Sequence, residues 1–150
     1  MQRSPVASTN RLMWDYKDQW YLTTYITING THAYTLFDSG STTDFLSLNF
    51  MWIAKLDVLE LYSPVTLQLG CVGGGSKINY GIKVNTHFGP ISYNNIYYDI
   101  TNLSKYSTVL GAPFLRHHNI VLDFVSDEFV VAGKHRVNRR TWKTPSTARD

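Results

Sequence analysis

The sequence has 150 residues, about the length of one domain, and its 43% hydrophobic and 14% aromatic residues argue against disorder. The single cysteine, Cys71, excludes an internal disulfide framework and a cysteine zinc cluster. No apolar run approaches the ~18 residues of a membrane span, and no apolar signal-peptide stretch follows Met1. We therefore expect an intracellular protein that does not contact a membrane.

The net charge of +3 is concentrated at one end of the chain. The last 17 residues carry a net charge of +5, whereas the other 133 residues carry −2. We predict an N-terminal arm over residues 1–19, a domain over residues 20–132 and a basic tail or linker over residues 133–150. The mildly acidic domain is not expected to bind nucleic acid. The tail is either a nucleic-acid-binding segment or a solvated linker, and its composition favours the linker.

The first half of the predicted domain has the pattern of a hairpin, a loop and a short helix. Residues 21–28 alternate between two faces with a period of two, which predicts a strand. Asn29-Gly30 tolerates positive φ at both positions and predicts a tight turn into a return strand over residues 31–37. Apolar residues at helical spacing predict a helix over residues 47–56, with Ser47 as its N-cap.

The second half of the domain is predicted to consist mainly of short strands. A glycine-rich tip at residues 70–75 separates two of them, and Gly89-Pro90 separates two more. Pro113 suits the first turn of a short helix over residues 113–118. The predicted strands cover residues 65–69, 76–80, 82–88, 91–100, 108–111, 121–124 and 129–131. The fold class that follows is mainly β, with one or two short helices.

Asp38 stands where the second predicted strand ends and a loop of small residues begins. Gly40 frees the backbone there, and hydroxyl groups from Ser39, Ser41 and Thr42 surround the carboxylate. We therefore expect the Asp38 carboxylate to project from the end of the strand and to accept hydrogen bonds from its neighbours. The alternative from these residues alone is an ordinary β-turn of the Asp-Ser-Gly type.

Three further stretches change the interpretation of the Asp38 loop. Leu36–Thr42 is followed about 70 residues later by Val109–Leu115, with the glycine-rich tip between them and His118–Phe124 directly after. In this order and spacing, the stretches resemble the catalytic loop, flap and second motif of the retropepsin-like aspartic proteases of retroviruses and LTR retrotransposons. His118–Phe124 resembles the gypsy class of those elements. The resemblance covers about residues 20–132. It implies a retropepsin-like acid protease fold, a closed β-barrel that forms half of an enzyme.

The resemblance also implies an aspartic endopeptidase that is active as a homodimer. The chain has one Asp-Ser-Gly motif, so the second carboxylate of the catalytic pair would be Asp38 of another copy. Ser39, Gly40 and Ser41 are the implied supporting residues, and we expect the Ser41 hydroxyl to donate a hydrogen bond to the carboxylate. The implied substrate is a retroelement polyprotein, cleaved in the cytoplasm or within retroelement particles without metal or cofactor. The implied flap residues are Gly73, Gly74 and Gly75.

The sequence departs from many retroviral members at one pair of positions. Thr42 and Ala112 stand where those proteases have an Asp and an Arg that form an ion pair. Both partners are replaced together, so neither charge is left unpaired. Adjacent histidines point to different sides of a helix, so we expect no metal site at His117-His118.

Two other functions remain open at this point. One is a domesticated or inactive retropepsin-like module that mediates dimerisation or protein binding. The other is a small β-barrel that binds nucleic acid through its aromatic residues and basic tail. The intact Asp38 loop favours the enzyme over both, because neither alternative has a physical reason to keep that carboxylate.

Overall fold

A computed structural model describes residues 8–15, 19–57, 59–68 and 75–140, with residues 59–68 and 75–79 described as backbone. Ten strands and two short helices follow one another along these residues. They are β1 (Thr23–Ile28), β2 (Thr31–Phe37), β3 (Phe45–Ser47), α1 (Leu48–Ala54), β4 (Leu59–Gln68), β5 (Gly75–Phe88), β6 (Ile91–Thr101), β7 (Thr108–Leu110), α2 (Ala112–His117), β8 (Ile120–Asp123), β9 (Glu128–Val131) and β10 (His135–Asn138). No helix among the described residues is long and apolar enough to cross a membrane.

Six of the strands close into a barrel. They pair in the order β1-β2-β7-β3-β6-β5, and β5 pairs back onto β1. Strand β4 extends the sheet from the outer edge of β5, and β8, β9 and β10 form a separate three-stranded sheet. The predicted fold class is confirmed: the protein is mainly β, with a closed barrel and two short helices.

The barrel core follows from the alternation in the first strands. Leu22, Ile26 and Ile28 share one face and are fully buried. Three phenylalanines join the barrel to the small sheet, because the ring of Phe37 lies 5.0 Å from Phe88 and 4.3 Å from Phe129 between centroids. Burial of a phenylalanine stabilises a fold by about 2 kcal/mol or more. The buried side chain of Phe37 therefore fixes the position of the backbone from which the next residue, Asp38, extends.

Local signals in the sequence set the first turn and the first helix. Asn29 and Gly30 both adopt positive φ, at 47° and 82°, so the predicted hairpin turn is confirmed. The Ser47 side chain accepts hydrogen bonds from the backbone N–H groups of Asn49 and Phe50, which confirms it as the N-cap of α1. The second helix, α2, begins at Ala112, with a proline in its first turn as predicted.

Four elements differ from the sequence-based expectation, and one of them is β3, which was not predicted as a strand. Strand β4 begins at Leu59, earlier than the predicted 65, and β5 is one strand of 14 residues where two were predicted. Strand β10 lies beyond residue 132, where we placed the end of the domain. Its Val137 is buried in the core, and the guanidinium of Arg139 lies 4.3 Å from the ring centroid of Trp20. The first part of the predicted tail is therefore folded against the domain.

His118, at the end of α2, gives the fold a pH dependence. It packs between Tyr93 and Phe114, with ring centroids 4.4 Å and 4.3 Å away, and burial lowers its pKa from 6.5 to about 4. The folded protein therefore keeps His118 neutral where the unfolded chain would take up a proton. We predict that His118 removes about 1–2 kcal/mol of stability as the pH falls from 6.5 to 4.

The variant that checks this prediction is His118→Phe, which keeps an aromatic ring and removes the titration. Urea unfolding from pH 7 to pH 4 should show a smaller loss of stability for the variant than for the unmodified protein. Equal pH dependence in the two proteins would contradict the role given to His118. The Nδ1 atom of His118 is buried without a hydrogen-bond partner among the described residues, so phenylalanine leaves no donor unpaired there.

Candidate active site

The Asp38 loop is a short turn held at the end of β2. The backbone N–H of Asp38 donates to the carbonyl of Leu110 at 2.9 Å, and the N–H of Ser41 returns to the carbonyl of Asp38 at 3.1 Å. The N–H of Gly40 donates to Oδ1 of Asp38 at 2.9 Å. Asp38 is half-buried, whereas Ser39 and Gly40 are exposed. The carboxylate of Asp38 thus accepts a hydrogen bond from the backbone N–H of Gly40, beside a short, exposed stretch of chain.

Parallel pairing of β2 with β7 brings the two sequence motifs together. Leu36 lies opposite Val109 and Phe37 lies opposite Leu110, so both strands end on the same side of the barrel. The N–H of Ala112 then donates to the carbonyl of Ser41 at 2.8 Å. The second motif is therefore the support on which the Asp38 loop rests.

Gly111 permits the closest approach between the two motifs. A Cβ atom at this position would lie 2.5 Å from the carbonyl oxygen of Thr43 and 2.6 Å from that of Ser41. Real Cβ atoms do not come so close to backbone oxygens. Position 111 requires glycine because no Cβ atom fits there. The requirement does not come from a left-handed backbone, since the φ of Gly111 is −96°.

The role expected for Ser41 is wrong in its detail. Ser41 is 3% exposed, and its hydroxyl donates to the carbonyl of Thr43 at 2.7 Å. A hydroxyl has one proton to donate, so it does not donate to the Asp38 carboxylate as well. Ser41 supports the loop by bridging its backbone. The sequence pointed to Ser41, but it could not show whether the Ser41 hydroxyl would donate to the Asp38 carboxylate or to the Thr43 carbonyl.

The flap expectation falls largely outside the described residues. Gly73 and Gly74 are not among them, and Gly75 is the first residue of β5, opposite Gln68 on β4. The paired strands β4 and β5 lead toward this tip. The three glycines therefore remain predicted flap residues.

Asp44 is a site residue that the sequence analysis passed over. Its Oδ1 accepts a hydrogen bond from the N–H of Gly111 at 2.8 Å. Burial, as the larger cause, and the nearby charge of Asp99 raise the pKa of Asp44 from 3.8 to about 6. Backbone N–H groups of Gly111 and Phe114 act in the opposite direction by stabilising the ionised form. The signal in the sequence was an aspartate directly before two large apolar residues, Phe45 and Leu46.

Asp99 is the second buried acid beside the loop. It is 8% exposed, and its two oxygens accept from the hydroxyl of Thr43 at 3.1 Å and from that of Tyr97 at 2.7 Å. The same hydrogen bond and burial raise the pKa of Tyr97. The backbone N–H of Asp99 also donates to the carbonyl of Asp44 at 3.0 Å. Strand β6 is thereby tied to the residues that follow the Asp38 loop.

The described part of the chain contains no group of three or more histidine, cysteine, aspartate or glutamate residues placed to hold a metal ion. The arrangement at the end of β2 offers a carboxylate for acid–base chemistry, hydroxyl and backbone groups around it, and open space beyond Ser39 and Gly40. A single carboxylate of this kind takes or gives one proton at a time.

Residues 17–136 match the sequence model of the family described as retroviral aspartyl protease. This segment contains both motifs and most of the strands. The chain belongs to the retroviral aspartyl protease family. No curated protein matches the chain in sequence.

Solved structures of retropepsin-like proteins have similar folds. The retroviral protease-like domain of Ddi1 from Leishmania major has a TM-score of 0.55 and 14% identity, over 81% of this chain and 98% of that one. The EIAV protease, solved with the inhibitor HBY-793, has a TM-score of 0.47 and 18% identity, over 71% and 93% of the two chains. A retropepsin-like aspartic protease from Rickettsia conorii has a TM-score of 0.48 and 14% identity, over 67% and 75%. At these identities the comparison concerns the fold alone, and it rests on the Leishmania major domain, whose TM-score is 0.55.

Proposed function

We propose that the protein is an aspartic endopeptidase that acts as a homodimer, with Asp38 of each copy contributing one carboxylate to the site. The observation that carries the proposal is the Asp38 loop, in which one half-buried carboxylate accepts a hydrogen bond from the Gly40 N–H at the end of a barrel strand. The sequence contains no second Asp-Ser-Gly or Asp-Thr-Gly motif. A pair of carboxylates therefore requires a second copy of the chain.

The proposed chemistry is general acid–base catalysis on a water molecule. Two carboxylates about 3 Å apart share one proton, because two like charges at that distance do not both ionise. The ionised Asp38 takes a proton from the water, and the protonated one donates a hydrogen bond to the carbonyl oxygen of the peptide bond. Attack gives a tetrahedral gem-diol, and the amine leaves after it has been protonated. Neither a covalent intermediate nor a metal enters these steps.

The residues around Asp38 suit the parts that the proposal gives them. Ser39 is exposed beside the carboxylate, where its hydroxyl is available to the second copy. Gly40 is also exposed and has no side chain, so a substrate backbone has room to approach. In the proposal, Gly73, Gly74 and Gly75 form a flap that closes over the substrate and excludes water.

The proposed substrate is a retroelement polyprotein, and the proposed place of action is the cytoplasm or the retroelement particle. The protease unit in this proposal spans residues 20–132 together with β10. Residues 1–19 act as an arm. The segment after Arg140 acts as a linker, and the alternative is a nucleic-acid contact made by the basic residues of the predicted tail, over residues 133–150.

The proposal predicts that specific activity depends on protein concentration. If a dimer forms the site, activity per molecule should rise with concentration near the dimerisation constant and then reach a plateau. The measurement is cleavage of a peptide library over a dilution series, with pepstatin as the inhibitor, beside the molar mass in solution at each concentration.

The possible results separate the candidate functions. Cleavage that pepstatin blocks and that falls on dilution supports the dimeric protease. Constant specific activity in a monomer contradicts the shared site. A stable dimer that cleaves no peptide at any pH would favour the dimerisation or protein-binding module.

A further inference from the structure

Asp44 connects the catalytic loop to the segment that supports it. The loop and the second motif are already joined by backbone hydrogen bonds from Asp38 to Leu110 and from Ala112 to Ser41. Asp44 adds a side-chain connection, because its Oδ1 accepts from the N–H of Gly111 at 2.8 Å. Gly111 is the residue that lies tightly against the loop carbonyls. The Asp44 carboxyl group therefore acts where the loop and the start of α2 make their closest contact.

Other ionisable groups surround this carboxyl group on two sides. From β6, Asp99 raises the pKa of Asp44, and the charge of Asp44 in turn contributes to the raised pKa of Tyr98. The Tyr97 hydroxyl donates to Asp99, so Tyr97 is connected to Asp44 through Asp99. A groove beside Asp44 is also lined by ionisable side chains of β6 and α2. These are Tyr93, His117 and His118.

We propose that Asp44 is a positioning residue for the catalytic loop, and that it holds the loop against the start of α2 more firmly when its carboxyl group is protonated. The inference rests on the proposed protease function for its consequence in catalysis. The attachment itself does not depend on that function.

The direction follows from comparing the attached loop with a loop that has moved away. In the attached loop, burial and the neighbouring Asp99 penalise the ionised carboxylate and raise its pKa from 3.8 to about 6. In a detached loop, Asp44 is in water and titrates near its ordinary value. The attached form is therefore favoured below about pH 4, and this advantage is lost as the pH rises through about 6. A shift of two units changes the ratio of attached to detached loop by at most roughly a hundredfold.

This attachment makes the site more active under acidic conditions. The effect is separate from the titration of the Asp38 pair, because it changes how often the loop is in place and not the proton that the pair shares. His118 does not imitate this effect, because its pKa is lowered to about 4 and it therefore makes the folded form less stable, not more stable, as the pH falls below 6.5.

Two variants of Asp44 test the inference. Asp44→Asn keeps an oxygen acceptor for Gly111 and removes the titration, so it resembles the protonated acid at every pH. Asp44→Ala removes the acceptor and leaves the Gly111 N–H unpaired. Asp57→Asn is the matched control, since Asp57 is an exposed acid just beyond α1.

The first readout is hydrogen exchange at the Gly111 amide, corrected for the intrinsic effect of pH. In the unmodified protein and in the Asp57→Asn control, we expect the protection to fall between pH 5 and pH 7 by about threefold or more. In Asp44→Asn the protection should stay constant over this range. In Asp44→Ala it should be low at both pH values.

The second readout is the pH profile of kcat. The ratio of kcat at pH 7 to kcat at pH 5 should be about three- to tenfold higher in Asp44→Asn than in the unmodified protein, with KM little changed. A purely structural role would lower kcat without changing this ratio. Gly111 protection that keeps the same pH dependence in Asp44→Asn would overturn the inference, as would full protection in Asp44→Ala. If the unmodified protein cleaves nothing, the proposed function fails while the exchange measurement still decides the role of Asp44.

Discussion

Asp38→Asn is expected to lower the rate of peptide cleavage by about a thousandfold or more, because the pair then lacks the ionised carboxylate that takes a proton from water. The fold and the dimer should persist, since asparagine retains an oxygen that can accept from the N–H of Gly40. The measurement is kcat of the purified variant, with circular dichroism and molar mass as checks. Asp57→Asn, which removes an exposed acid away from the loop, should retain full activity.

Mixing the two proteins tests the shared site directly. If subunits exchange freely, an equal mixture of unmodified protein and Asp38→Asn contains about one quarter of fully competent dimers. The cleavage rate per total protein should then be about one quarter of the rate of the unmodified protein, whereas independent monomers would give about one half. A value of one half in a mixture that exchanges subunits would show that each copy carries a complete site.

Gly111→Ala should damage both stability and activity. The added methyl group would meet the carbonyl oxygens of Thr43 and Ser41, which are backbone atoms that move only if the loop moves. Overpacking of this kind costs about 1–3 kcal/mol, and the displaced loop carries Asp38 with it. The measurements are urea unfolding and kcat of the fraction that remains folded.

Gly30→Ala is a useful comparison for Gly111→Ala. A Cβ atom at Gly30 would meet nothing within 4 Å, but the residue has a φ of +82°. The variant should therefore lose about 1–2 kcal/mol of stability through its backbone and keep the kcat of the folded protein. If Gly111→Ala kept its activity in the same way, close packing at Gly111 would not be what positions the loop.

The parts of the fold that could be predicted from the sequence depend on short-range chemistry. The turn at Asn29 and Gly30 needs only residues that accept positive φ, and the N-cap at Ser47 needs only a hydroxyl ahead of a helical pattern. The Asp38 loop was singled out because its residues occur together in the chain. Their resemblance to a known family also supplied the fold of the barrel.

The parts that could not be predicted depend on residues distant in sequence. Strand β10 is short and mostly exposed, and its pairing with β9 distinguishes it from a charged linker. The burial of Asp44 requires Gly111 and Asp99 to lie beside it. The Ser41 hydroxyl donates to the Thr43 carbonyl and not to the Asp38 carboxylate, and which acceptor it meets depends on the exact path of the loop. In each case the local sequence allowed two outcomes, and tertiary contacts selected one.

The hydrogen bond between Asp44 and Gly111 joins residues 67 positions apart in the chain. The Asp38 loop therefore gains its contacts with the second motif only when β7 has been added beside β2. Contacts between such distant residues are slow to form, because a long stretch of chain must first be brought together. Under the proposed function, a newly made chain would lack proteolytic activity until its barrel has closed and two copies have paired. This order of assembly would delay self-digestion until each copy is compact and poorly cleavable.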